Sequence, residues 1–241
     1  MRIKKANTSK TSKKVTFWSK TKQFLFKLAL WFFGISIFLV VLFKFLPIPF
    51  TPLMIFRCVE QKMAGKEMKC SHDWVSLDQI SVNMQKAVVA SEDGNFLKHS
   101  GFDFKAMKKA FKNNNRGRKL KGGSTISQQT AKNVFLWQGR SYLRKGLEAY
   151  FTFLIELVWG KERIMEVYLN SIEMGDGVYG VEAASQNWYS KKAINLTPIQ
   201  AAGIAAILPN PRKYKATNST VYITQRKDKI VRVMRFIKIK F

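Results

Sequence analysis

The sequence predicts a mainly α protein, with one N-terminal membrane helix followed by one folded domain. Three observations lead there. Residues 1–22 carry eight basic side chains and no acid, and the run after them, "FLFKLALWFFGISIFLVVLFKFL", is almost wholly apolar. From Trp74 onward apolar residues recur at helical spacing, and no segment shows the alternation of a half-buried strand. With 46% hydrophobic and 13% aromatic residues, the 241-residue chain can bury a core of ordinary domain size, which excludes global disorder.

The elements follow in chain order. Residues 1–22 form a basic cytoplasmic tail and residues 23–46 a transmembrane anchor. Between Phe24 and Leu46 only Lys27 and Lys44 are charged, both close enough to an end for the ammonium to snorkel to the interface. About 20 apolar residues cross a bilayer as a helix. The basic flank predicts a cytoplasmic N-terminus and an outward-facing domain. A cleaved signal peptide is the rival reading, but the run is long for one and "PIPFTP" offers no small-x-small cleavage site. A buried globular helix is disfavoured by the eight flanking cations and the lack of a polar face.

Residues 47–73 read as a juxtamembrane linker and residues 74–241 as the folded domain. Cys58 and Cys70 fall in the linker, where a disulfide and two free thiols both remain open. No CxxC or Cys/His cluster points to a metal, and two histidines, His72 and His99, are too few for a typical zinc site. Within the domain, Met84, Ala87 and Val88 mark one helix. Asp103 caps another, with Phe104, Met107 and Phe111 on its apolar face. "NNNRGRKLKGG" breaks the pattern as a loop. Leu143, Leu147, Tyr150, Phe151, Leu154 and Val158 mark a long helix closed by Gly160, and Ile164, Val167 and Tyr168 the next. "GDGVYG" is a turn, and Val181 to Trp188 a short helix. "LTPIQAAGIAAILPNP" opens on Thr197, Pro198 and Gln200 as a capped helix start and ends at Pro209. The basic C-terminus has no clear placement.

The charge balance, 42 Lys plus Arg against 15 Asp plus Glu for a net +27, calls for an anionic partner: nucleic acid, acidic lipid or a phosphorylated substrate. The outward topology disfavours nucleic acid. Three constellations narrow the choice. In "GGSTISQQTAKN", Thr125 and Gln128 make a capping box, and Ser124, Gln128 and Lys132 recur every fourth residue as one polar stripe if Ser124 joins the first turn. Unpaired amides at such a helix start suit phosphate. Arg140, Arg144 and Glu148 share the same spacing, with Lys145 beside them; an ion-paired, solvent-exposed face is the commoner explanation. Glu92 and Asp93 follow an apolar helix, where a carboxyl can serve in proton transfer, although acidic residues also end helices in ordinary turns.

These segments together resemble a known family. "EDGNFLKHSGFD" is similar to the first motif, ED-x-x-F-x-x-H-x-G-x-D, of the peptidoglycan glycosyltransferases, glycosyltransferase family fifty-one. "GGSTISQQTAKN" resembles the second motif, "RKGLE" the third, "KERIMEVYLN" the fourth and "AAGIAAILPNP" the fifth, all in the family's order from Glu92 to Pro211. The chain ends at Phe241, with no room for a transpeptidase domain, so it resembles the monofunctional, proteobacterial-type members. Ser127 stands where Thr is commoner, and Gly146 lies inside the third motif.

The resemblance implies a lysozyme-like glycosyltransferase domain in the inner membrane, with the domain in the periplasm. It implies polymerisation of lipid II into β-1,4 glycan, with inversion and release of undecaprenyl diphosphate. The motif-one glutamate, Glu92, would be the general base, and Glu148 the second essential carboxylate. Lys132, Arg140, Arg144 and Lys145 match positions near the diphosphates, and Ser124, Thr125, Gln128 and Gln129 line the site. Asp93, Phe96, His99, Gly101 and Asp103, and Asn170 in the fourth motif, match structural positions. Phe102, Phe104, Met107 and Phe111 fit a membrane-near lobe, with anionic lipid as its partner. No cofactor is required, a divalent cation (Mg2+ or Mn2+) is compatible with the diphosphate, and other cell-wall synthesis or division proteins are candidate partners. The alternatives are a lytic, lysozyme-like hydrolase and a non-enzymatic basic membrane module.

Overall fold

The computed structural model describes residues 9–108, 123–139 and 141–241, with side chains from residue 18 onward. The expected loop between residues 113 and 122, Phe111 and Arg140 lie outside the described residues. The chain divides into two units, 1–43 and 44–241. The first holds all but the last two residues of helix α1 (Ser9–Phe45), whose stretch Trp18–Phe45 has a mean hydropathy of 2.4 over its most apolar window and is long and apolar enough to cross a membrane.

In the second unit, the 47–73 segment expected as a linker is instead part of the fold. Thr51 accepts a hydrogen bond from the Met54 amide and Pro52 stands at the first turn, so a helix, α2 (Pro52–Met63), starts immediately. Its Leu53 and Met54 are buried with Tyr179. Sequence periodicity missed this because the apolar face is short and its partners are distant in the chain. Strand β1 (Ser71–His72) then joins a small sheet. Helix α3 (Val82–Glu92), which buries Met84, Ala87 and Val88, ends at the first motif.

Residues 104–108 are helical. Helix α4 (Ile126–Phe135) opens on the predicted capping box: Thr125 accepts from the Gln128 amide and Gln128 from the Thr125 amide. Helix α5 (Tyr142–Val158) and helix α6 (Gly160–Ser171) pack against it, with Gly160 at φ +72° making the corner between them. The buried stripe of α5 is Glu148, Phe151, Thr152 and Ile155, while Leu143, expected on the apolar face, is exposed. Strands β2 (Glu173–Gly175) and β3 (Val178–Tyr179) complete a sheet of order β1-β3-β2, parallel between β1 and β3 and antiparallel between β2 and β3. Strands of two or three residues are too short to show a period in sequence.

Helix α7 (Val181–Tyr189) leads to α8 (Pro198–Ile207), a second capping-box helix. The seven residues from Ala201 to Ile207 are all buried, so α8 is the apolar centre of its neighbourhood. Helix α9 (Val221–Met234) gives the basic C-terminal region a place. Ile223, Ile230 and Met234 are its buried residues, and it packs on α8 and α3. The domain is therefore mainly α, with α3, α8 and α9 packed together and α4, α5 and α6 packed together.

Asn170, at the end of α6, fastens the approach to α3. It donates to the carbonyls of Val75 (2.8 Å) and Glu166 (2.9 Å) and accepts from the Val75 amide (3.0 Å), while fully buried. Asn170→Ala leaves buried backbone groups unpaired, so it should cost about 2–4 kcal/mol. A urea unfolding curve checks this, with a lower midpoint and an unchanged slope expected.

Candidate active site

The first motif forms a tight polar knot. Asp93 caps the end of α3, and its carboxylate takes hydrogen bonds from two directions: His99 Nε2 lies 3.0 Å from both oxygens, and the Ile126 amide donates to Oδ2 at 3.0 Å. A carboxylate there complements the positive end of α4. Thr125 Oγ1 donates to the Gly101 carbonyl at 2.6 Å. Asp103 accepts from the Ala106 amide and from Asn95, both at 2.8 Å. The Ala106 amide, then Asn95, hold the Asp103 carboxyl below the usual range. Phe96 is fully buried beneath the Lys161 ammonium, 4.6 Å from the ring centroid. Asp93, Phe96, His99, Gly101 and Asp103 thus all sit in the scaffold of the motif.

Glu92, one residue earlier, faces open space. It lines a cleft of about 580 Å³ with Ser124, Gln129, Pro209, Tyr222, Arg226 and Lys229. Gln129 Nε2 donates to its Oε2 at 3.2 Å, Ser91 to its Oε1 at 2.9 Å and Arg226 to Oε1 at 3.3 Å. Gln129 also reaches Tyr168, whose hydroxyl donates to Oε1 at 3.4 Å. Burial, with Glu92 and Asp93 nearby, pushes the Tyr168 phenol well up, so it remains a neutral donor. Arg226 went unnoticed in the sequence because it lies 134 residues from Glu92, in a helix with no family motif.

The predicted stripe of Ser124, Gln128 and Lys132 does not form as one surface. Thr125 is the cap, so Ser124 stays outside the helix and faces the Glu92 cleft. Gln128 and Thr125 are buried and spend their side chains on the helix start. Two of the amides expected to receive a phosphate are taken, Ile126 by Asp93 and Gln128 by Thr125. It is Gln129 that joins the two sides, because it also lines a smaller pocket of about 130 Å³ with Lys132, Asn133, Gln138, Arg57 and Glu173.

Glu148 is 3% exposed and binds both neighbours, Arg144 Nη1 at 2.8 Å and the Lys145 ammonium. The carboxylate of this cluster is buried and only Lys145 is exposed, unlike the fully solvated face that spacing alone favours. Lys132 belongs to the same electrostatic neighbourhood. Burial pushes its ammonium pKa down, Glu148 pulls it back up, and Arg144, Lys145 and Arg57 push it down again. Four cations, Lys132, Arg57, Arg144 and Lys145, outnumber the carboxylates Glu148 and Glu173 here, so an arriving anion would be stabilised. Among the described residues, no group of three His, Cys, Asp or Glu side chains gathers as a metal cage. Glu92 and Glu148 already hold cationic side chains, so these donors do not fit a resident divalent ion.

A family model for transglycosylases matches residues 60–235, a span that contains Glu92, Glu148, Lys132, Arg144, Lys145 and Arg226. The chain belongs to the transglycosylase family. It is similar to the biosynthetic peptidoglycan transglycosylase of Bdellovibrio bacteriovorus, with 50% identity over 214 residues, 89% of this chain and 86% of that protein. The corresponding protein of Caulobacter vibrioides is 54% identical over 191 residues, 79% of this chain and 81% of the relative. That of Bacteroides thetaiotaomicron is 47% identical over 218 residues, 90% and 88% respectively. The transglycosylase is therefore a glycosyltransferase of peptidoglycan synthesis.

Gly101 sets the turn beneath Thr125. Its φ is +85°, and an added Cβ would lie 2.8 Å from Thr152 Cγ2. Gly101→Ala should cost about 2 kcal/mol or more, lowering Tm by about 4–8 °C for a domain of this size. Adding Thr152→Ser removes the clashing methyl group, keeps the hydroxyl that donates to the Glu148 backbone carbonyl, and should recover part of the loss in thermal denaturation.

Proposed function

We propose that this transglycosylase polymerises lipid II into β-1,4-linked glycan with inversion, releasing undecaprenyl diphosphate. The observation that carries the reading is Glu92, oriented by Gln129 and Arg226 at the wall of an open cleft, with the Lys132 and Glu148 cluster beyond Gln129. In the step proposed, the 4-hydroxyl of incoming lipid II attacks the anomeric carbon of the lipid-linked glycan. The O–H proton passes to Glu92, the new O–C bond forms, and the bond from the anomeric carbon to the diphosphate oxygen breaks.

Charge collects on the leaving diphosphate, where fixed cations stabilise it without reorganisation. Lys132, Arg144 and Lys145 are assigned to that task, with Arg140 added on its motif position. Glu148 acts by holding Arg144 and Lys145 in place. Ser124 and Gln129 face the sugar side of the cleft, whereas Thr125 and Gln128 contribute by shaping the helix start. No cofactor enters the step.

The chain is proposed to sit in the inner membrane as a single-pass protein, with its N-terminus in the cytoplasm and its domain in the periplasm. The apolar α1 and the basic flank support this. Of the residues expected on a membrane-near lobe, Phe104 is exposed and Phe102 and Met107 are half-buried; Leu143, Phe153 and Leu157 are exposed as well, which supports a lobe that meets the membrane, with anionic lipid as its proposed partner.

Purified protein given labelled lipid II should build polymer, and Glu92→Gln should slow the initial rate by about 100- to 10,000-fold. Loss of finished glycan with no polymer made from lipid II would instead establish a lytic enzyme. Lys132 supplies a separate check. Its lowered pKa means that the ammonium loses its proton below the pH at which a free lysine does, so KM for lipid II should rise as pH increases through that range. Lys132→Arg stays charged and should hold KM flat, within about a factor of two, across the pH range over which the native KM rises. A parallel rise in both proteins would remove Lys132 from the diphosphate site.

A further inference from the structure

Cys58 and Cys70 lie twelve positions apart in sequence, on either side of a chain reversal. Cys58 is on α2, and Cys70 immediately precedes β1. The chain between them folds back through Gln61, one helical turn beyond Cys58: its backbone carbonyl accepts from the Lys66 amide at 3.0 Å, and its side-chain oxygen from the Lys69 amide at 2.8 Å. Cys70 is the next residue. Its other neighbour, Ser71, is fixed by donation to the Gly177 carbonyl at 2.8 Å. Both cysteines line one apolar groove of about 320 Å³, with Met54, Ile55, Val59 and Met68.

Both thiols open on that same groove. Burial, then the hydrogen bond with Cys58, push the Cys70 thiol up to about 11. Cys70 is exposed and Cys58 half-buried, so a small oxidant can reach the pair.

We propose that Cys58 and Cys70 are a modification site, closing to an intramolecular disulfide that staples α2 to β1 when a small disulfide oxidant is present. One thiolate attacks the oxidant R–S–S–R and expels R–S⁻, giving a mixed disulfide. The second thiolate then displaces the other R–S⁻ and forms the Cys58–Cys70 bond. The two cysteines lose two electrons and two protons, and the oxidant leaves as two thiols. The staple fixes Arg57, adjacent to Cys58, which lines the Lys132 pocket and lies 3.3 Å from Glu173 through Nε. Oxidation thus reaches the wall of the active site through α2. The outward orientation proposed above determines only which compartment supplies the oxidant; the chemistry is independent of it.

The test uses the full chain in detergent with oxidised glutathione, followed by non-reducing tryptic mass spectrometry. Cleavage after Arg57, Lys62 and Lys69 should leave the peptide Cys58–Lys62 joined to the one beginning at Cys70, two hydrogens lighter than their sum, and reduction should separate them. The oxidised protein should melt about 5–10 °C higher than the reduced form, and Cys58→Ser or Cys70→Ser should abolish the shift. Two free thiols after treatment that fully oxidises a control dithiol peptide, or covalent dimers in place of the internal link, would overturn the proposal.

Discussion

The Asp93 carboxylate is the constraint on which the site depends. It ends α3, holds His99, and occupies the positive start of α4 through the Ile126 amide. Two helices from different packing groups are thereby fixed at one point. Glu92 and Gln129, one residue before the junction and four residues into the second element, then face each other across 3.2 Å. Neighbouring carboxylates divide the labour by direction: Asp93 turns inward to a backbone amide and a ring nitrogen, while Glu92 turns to the cleft. An anion at the helix start was a sound expectation physically, but the anion there belongs to the protein itself.

A similar economy runs through the rest of the site. Glu148 is enclosed by Arg144 and Lys145, so its charge is compensated where a lone buried carboxylate would be costly. Among the described residues no carboxylate makes a comparable ion pair with Lys132, and burial, then the surrounding cations, disfavour its charged form. A diphosphate would meet that demand. On the opposite wall, α9 supplies Arg226 to both Ser91 and Glu92, so the C-terminal helix closes the cleft as well as packing on α3 and α8.

Local features were legible in the sequence because their causes are local. The capping boxes of Thr125 with Gln128 and Thr197 with Gln200 appear where residue type and spacing put them. The long apolar N-terminal helix, the helical class and the long α5 followed from runs and periods. The every-fourth-residue stripe failed because the cap itself excludes Ser124 from the helix. Helix α2 hid in an apparent linker because Leu53 and Met54 find their neighbour, Tyr179, more than a hundred residues away. Arg226 was invisible for the same reason. Family resemblance pointed to the carboxylates, whereas the placement of Gln129 between two pockets needed the fold.

Amide hydrogen exchange at Ile126 tests the central constraint most directly. In the native protein that amide is held by Asp93 and should be protected. In Asp93→Ala its exchange should accelerate by about 10- to 100-fold, the loss expected for a hydrogen bond to a charged group, while the amide of Gln129, bonded to the Thr125 carbonyl at 3.0 Å, stays protected. Unchanged exchange at Ile126 would contradict the account, because the start of α4 would then be held by something other than the carboxylate that ends α3.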